Sequence, residues 1–231
     1  MKSLNIDGYN FWLTPMEDQG VILTPIDQKR NPAITAQQIQ QQLQEKKCKY
    51  IDEVIATSEE IFIASSRSKK AIKELRAMRF KKTSITTWNV PVLFNECEDW
   101  KKISAETSIT REDFITELLQ LKIMVQMLGF LPGFVYAEGL TKKMQVPRKE
   151  IPVANRKANV LAVGGPYLGV YSIPSPSGWY IIGDIPLQIL NLDDGIPIPF
   201  KIEDRLVLKS ISKKDYEQIF NKKLNLVSYN A

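Results

Sequence analysis

Between residues 128 and 186 the chain is interrupted again and again by glycine and proline. "GFLPGF", "VPRKEIP", "GGPYLGVY", "SPSGW" and "GDIP" all fall within about sixty residues. Glycine permits positive φ and close backbone approach, and proline fixes φ and removes a donor. No long helix survives such spacing. Between the interruptions lie short apolar runs: "NVLAV", "GVYSI", "WYIIG" and, further on, "RLVLKSI". Many short strands with turn signals predict an antiparallel barrel or sandwich. So many constrained turns also predict a rigid rim around the barrel mouth, where ligands commonly bind.

The first third has a different texture. "GVILTP" reads as a strand. In "NPAITAQQIQQQLQEKK", Thr35 is a candidate N-cap with Gln38 three residues later, and Ile39 and Leu43 share a face of an amphipathic helix. "YIDEVIATSEEIFIAS" reads as two strands around a turn at Ser58–Glu60, and "SKKAIKELRAM" as a helix with Ile72, Leu75 and Met78 inward. Helices and strands mixed at this size predict a ferredoxin-like α+β domain. It spans residues 1–80. A polar, basic linker over 81–89 follows, and residues 90–231 form the barrel domain. At its start, "EDWKKISAET" predicts a short helix. A second helix is capped by Thr110, with Phe114, Leu118 and Leu121 as its apolar stripe. "LGFLPGF" at Leu128–Phe134 then connects that helix to the barrel, anchored by Phe130 and Phe134. "KKDYEQIFNKKL" is a terminal helix.

Histidine is absent from all 231 residues. This excludes Ser–His and Cys–His nucleophile pairs and imidazole-based zinc sites. "SPSGW" is therefore not a nucleophile elbow, and "GGPYLG" lacks the lysine and helix of a phosphate loop. Cys48 and Cys97 form no CxxC pair and are expected to pack as reduced thiols. The net charge of +5 is spread as Lys–Lys pairs with acidic neighbours, which fits solvated faces rather than a nucleic-acid track. No apolar run is long enough to span a bilayer or make a signal peptide, so a cytoplasmic protein is expected, with no membrane partner.

In order along the chain, "MLGFLPGFVY", "VPRKEIP", "GGPYLGVYSI", "SPSGWYIIGDIP" and "EDRLVL" resemble the B subunit of 5-oxoprolinase. That family was also labelled allophanate hydrolase subunit 1 and is related to the paired carboxyltransferase domains of urea carboxylase. It includes the Kip-type inhibitor of a sporulation histidine kinase. The resemblance implies a ferredoxin-like α/β domain followed by a cyclophilin-like β-barrel. It implies a partner similar to the C subunit of 5-oxoprolinase and a third, catalytic subunit. Together these couple hydrolysis of ATP, with its Mg, to opening of 5-oxoproline to glutamate. A regulatory module inhibiting a histidine kinase is one alternative. A diverged paralogue acting on another small amide or carboxylate is the other.

Several polar positions of the family are replaced. Leu118 stands where a histidine is usual, and Ile123 where a tyrosine is. Tyr167–Leu168 replaces a polar pair, Pro152–Val153 a second Pro-Arg pair, and Asp184 an arginine. Arg148 can clamp a carboxylate or phosphate through its planar fork. Glu138 is a candidate base and Tyr136 a candidate hydrogen-bond donor. These three are the candidate catalytic residues. Ser177, Trp179 and Tyr167 are the candidate substrate-binding residues, and no metal ligand is expected.

Overall fold

The computed structural model describes residues 2–27, 31–45, 47–57, 59–80, 84–154, 157–193 and 198–220. The chain forms two compact units, Met1–Ser84 and Ile85–Ala231.

The first unit is a five-stranded antiparallel sheet carrying two helices. Its elements are β1 (Lys2–Ile6), β2 (Tyr9–Met16), β3 (Gly20–Pro25), α1 (Pro32–Gln44), β4 (Glu53–Ala56), β5 (Ile61–Ala64) and α2 (Ser68–Ala77). The strand order is β1-β2-β3-β5-β4. The run β3–α1–β4–β5–α2 is the ferredoxin-like pattern, with its fourth strand position filled by β2, which precedes the run rather than following it. Alternate residues Leu4, Ile6, Phe11, Leu13, Val21, Leu23, Ile61 and Ile63 are buried under Ile39 of α1 and Ala71 and Leu75 of α2. The N-cap of α1 is Asn31, not Thr35. Asn31 Oδ1 accepts from the Ala33 N–H at 2.9 Å, and Pro32 takes the first helical position. Proline is favoured there because its missing N–H would have had no helical partner. Thr35 lies inside the helix and is buried. Ser58, within the expected turn, lies outside the described residues.

The second unit contains β6 (Thr87–Val92), α3 (Glu98–Thr107), α4 (Arg111–Leu118), β7 (Ile123–Leu128), β8 (Val135–Glu138), β9 (Val160–Gly164), β10 (Tyr167–Tyr171), β11 (Tyr180–Asp184), β12 (Arg205–Ser210) and α5 (Lys213–Ile219). Thr87–Asn89, expected in the linker, already belong to β6. Seven strands run in the order β11-β9-β10-β8-β7-β12-β6. The two edges meet at Leu93 and Asp184, whose backbones exchange both N–H···O bonds at 2.9 Å. The sheet thus closes into a barrel, which removes unpaired edges.

The barrel interior is filled. Val90, Val92, Val125, Val135, Ala137, Leu161, Val163, Leu168, Val170, Ile182, Leu206 and Leu208 point into one core, joined by Trp100 and Ile103 of α3 and Phe114 and Leu118 of α4. Thr110 caps α4 as expected, accepting from the Asp113 N–H. The helix ends at Leu118, however, and residues 123–128 are strand. "LGFLPGF" is therefore the β7–β8 hairpin loop rather than a helix-to-barrel connection. Phe134 is buried, whereas Phe130 is exposed and holds a left-handed backbone with φ 70°. The strand is set by its partners: β7 pairs with β8 and with β12, and its alternate residues Ile123 and Val125 join the core.

Candidate functional site

The barrel core is packed, and two clefts of this unit lie on its outer face. Period-2 alternation sends Leu161, Val163, Leu168 and Val170 inward, and it sends Val160, Ala162, Tyr167 and Tyr171 outward. There they meet Phe134, Tyr136 and Trp179 in a separate aromatic cluster. Phe134 is its hub, with edge-to-face contacts to Tyr136 (4.6 Å between ring centroids), Tyr171 (4.6 Å) and Trp179 (5.7 Å).

Two glycines make room for the tryptophan. A Cβ on Gly164 would lie 2.7 Å from the Trp179 indole, and one on Gly169 would lie 2.6 Å from it. Both are outward-facing positions of β9 and β10. "GGPYLG" is therefore not a ligand loop: its first and last glycines form the trough that seats Trp179.

The wall of the cleft is built by two irregular segments. Lys149 N–H donates to Gly178 O at 2.7 Å, and Val153 and Ser177 exchange backbone bonds at 2.8 and 2.9 Å. This pairing lays "VPRKEIP" against "SPSGW". It holds the Arg148 guanidinium over the Trp179 ring, 5.4 Å from the centroid. Lys149 turns the other way and pairs with Asp99 of α3, whose other carboxylate oxygen accepts from Ile181 N–H at 2.8 Å. The resulting cleft is about 510 Å³ and is lined by Phe130, Phe134, Tyr136, Arg148, Tyr171 and Trp179, among others.

The residues expected at the site thus divide between two places. Tyr136, Arg148, Ser177 and Trp179 line this aromatic cleft. Glu138 and Tyr167 line a second cleft of about 770 Å³, two residues further along β8 and at the start of β10. Tyr136 and Tyr167 stand between them with ring centroids 6.0 Å apart. Burial raises the Tyr136 pKa above the ordinary phenol value, against the opposing field of Arg148, so its hydroxyl is a neutral donor at physiological pH. Ser177 is buried, and its Oγ is committed to the Tyr171 hydroxyl (2.5 Å) and to the Trp179 N–H (2.9 Å). It braces the wall. Among the described residues no cluster of acids and thiols could hold a metal. The thiol of Cys48 is pushed up to about 11 by burial and by Glu74, which leaves it protonated.

Phe134 and Tyr171 complete the cleft without having been expected there. Their signal is nonetheless present in the sequence: Tyr167, Gly169 and Tyr171 share one face of β10, opposite Leu168 and Val170. Asp184 accepts from Asn95 Nδ2 at 2.7 Å beside the barrel seam.

A ferredoxin-like unit followed by a closed barrel is also the fold of solved urea carboxylase and urea amidolyase structures. The Kluyveromyces lactis urea carboxylase structure matches 97% of this chain and 24% of its own, with TM-score 0.68 and 14% identity. The uncharacterized protein PH0987 from Pyrococcus horikoshii matches 89% of this chain and 100% of its own, with TM-score 0.54 and 20% identity. These likenesses show the fold. The chain belongs to the family described as carboxyltransferase domain, subdomain C and D, whose model matches residues 11–200. It is 31% identical over 118 residues to the 5-oxoprolinase B subunit of Bacillus subtilis (51% of this chain, 49% of that protein). It is 28% identical over 104 residues to the protein of the same name from Escherichia coli O157:H7 (44% and 48%). The aligned stretch spans about half the length of these relatives. No helix among the described residues is long and apolar enough to cross a membrane.

Proposed function

We propose that the chain acts as the B subunit of an ATP-dependent 5-oxoprolinase-type complex, and that its outer aromatic cleft holds the small cyclic amide. The observation that carries this reading is Arg148 stacked on Trp179 beside the neutral Tyr136 hydroxyl. A guanidinium on an aromatic platform binds a carboxylate in its fork, the rings cover a small apolar ring, and a phenol donates to an amide carbonyl. 5-Oxoproline carries all three features. The relationship to proteins named as the 5-oxoprolinase B subunit supports the same choice.

The cleft is equipped to bind rather than to react. Lys149 is engaged by Asp99, the Ser177 hydroxyl is engaged within the wall, and Glu138 lies in the other cleft. ATP does not fit the donor set here. One guanidinium on an apolar floor is no cradle for a triphosphate, and no carboxylate cluster among the described residues would hold its cation. In this reading ATP binding and proton transfer fall to a partner like the C subunit of 5-oxoprolinase and to a third subunit. The exposed Phe130, Ile151 and Val153, close to the cleft in sequence or lining it, offer apolar surface for such a partner. The histidine-kinase reading has no observation that favours it over this one.

The test is reconstitution with the neighbouring subunits and measurement of ATP-dependent glutamate release from 5-oxoproline. Release that requires this chain supports the proposal, and release no greater than in its absence overturns it. Arg148→Ala is expected to weaken 5-oxoproline binding by roughly ten- to a hundredfold, equivalent to a charged hydrogen bond of about 1.5–3 kcal/mol. Arg148→Lys should recover only part of this, because an ammonium lacks the fork and the stacking plane. Equal affinities for all three forms by calorimetry, with the fold intact by circular dichroism, would remove Arg148 from the site.

A further inference from the structure

The second cleft carries charges that the first does not use. Its floor is a cross-strand row on the outer face of the barrel. Arg205 of β12 pairs with Met124 of β7 on one side and with Thr87 of β6 on the other. Met124 pairs with Glu138 of β8, and the register Leu168↔Ala137 continues the row to Tyr167 of β10. Lys122 lies against Gly139, next along from Glu138: a Cβ on that glycine would be 2.5 Å from the Lys122 carbonyl. Glu138, Lys122 and Arg205 therefore surround an apolar floor of Met124 and Leu121 in one cleft of about 770 Å³. This volume is in the range of small-molecule sites.

These opposite charges do not neutralise one another. No ion pair or hydrogen bond engages the side chains of Glu138, Lys122 or Arg205 among the described residues. Glu138 and Arg205 sit two strands apart, with Cα atoms about 10 Å from each other. Their side chains are long enough to close that gap, yet no ion pair forms between them. A ligand bearing both signs of charge satisfies all three groups at once. The cleft offers two cations and one anion, so its complement is two carboxylates and one ammonium.

We propose that this cleft binds an acidic α-amino acid, with its ammonium on Glu138, its carboxylates on Arg205 and Lys122, and its aliphatic stem on Met124. The proposal rests on this cleft alone and is independent of what the Arg148 cleft takes.

The test is calorimetric titration of the full chain with L-glutamate, L-aspartate and glutarate, the last lacking the ammonium. Saturable binding of one of the amino acids is expected, with Kd on the order of 1 mM or tighter. Glutarate should bind at least about tenfold more weakly than glutamate, since it forgoes a charge-assisted bond. Glu138→Gln should bring glutamate down to the glutarate level and leave glutarate unchanged. Arg205→Gln should weaken both. No saturation by either amino acid overturns the proposal. So does glutarate binding as tightly as glutamate to the unmodified chain, which tests Glu138 without any substitution. Loss of glutamate binding in Arg148→Ala would assign the amino acid to the aromatic cleft and equally overturn it.

Discussion

Trp179→Ala is expected to destabilise the barrel unit by about 3–5 kcal/mol, the range for truncating a large buried aromatic side chain. Trp179 is 5% exposed and lies in a trough formed by Gly164 and Gly169, neither of which has a side chain to collapse into the void. It also meets Phe134 and Tyr136, both at 5.7 Å between centroids. Removing it leaves a cavity bounded by backbone on one side and rings on the other. The melting temperature should fall by roughly 10 °C for a unit of this size. Arg148 simultaneously loses the surface that orients it, so ligand binding in the aromatic cleft should fall at least as far as in Arg148→Ala. Trp179→Phe keeps part of the platform and should lie between. An alanine variant that melts with the wild type would show that the glycine trough does not hold the indole in solution.

The barrel is legible in the sequence because its signals are local. Short apolar runs between glycines and prolines become β9, β10, β11 and β12, and Thr110 marks the start of α4. Two expectations fail for identifiable reasons. Residues 123–128 continue the apolar pattern of the preceding helix, and only their long-range pairing with β8 and β12 makes them strand. Thr35 satisfies the local rule for a cap, but Pro32 lets the helix begin earlier, where Asn31 can cap it. For the candidate site, Arg148 and Trp179 stand out in the sequence, and the structure brings them together through a backbone pairing that no local pattern announces. Glu138 groups with Tyr136 by closeness in sequence. In a strand, residues two apart share a face but stand about 7 Å apart, enough to put them in neighbouring clefts. Lys122 and Arg205 carry no local signal at all, since their meeting depends on the order in which the barrel strands lie.

Asp204→Ala is expected to cost about 3 kcal/mol, by a mechanism different from that of Trp179: a buried polar network loses the one acceptor it shares. The Asp204 carboxylate is 1% exposed. Its Oδ2 accepts from Trp88 Nε1 at 2.8 Å and from the Lys201 N–H at 2.8 Å, and its Oδ1 accepts from the Thr86 N–H at 2.9 Å. Its backbone carbonyl takes the Val125 N–H at 2.8 Å. One residue thus fastens the start of β6, the loop before β12 and the neighbouring β7. Alanine leaves the donors in place without an acceptor, and a donor left buried and unpaired costs about 1–3 kcal/mol. Water can reach the partly exposed Thr86 and Lys201 amides, so the Trp88 indole bears the largest share. Asp204→Asn separates hydrogen bonding from packing, because it keeps the volume but turns two donors toward a site that needs acceptors. It should lose roughly 2 kcal/mol. Pairing either substitution with Trp88→Phe should recover part of the loss, since the orphaned indole N–H is then gone and the two effects cease to add. If Asp204→Asn melts with the wild type, the carboxylate is not what joins β6 to β12, and that pairing is held by its backbone ladder and by Leu206, Leu208, Val90 and Val92 in the barrel core.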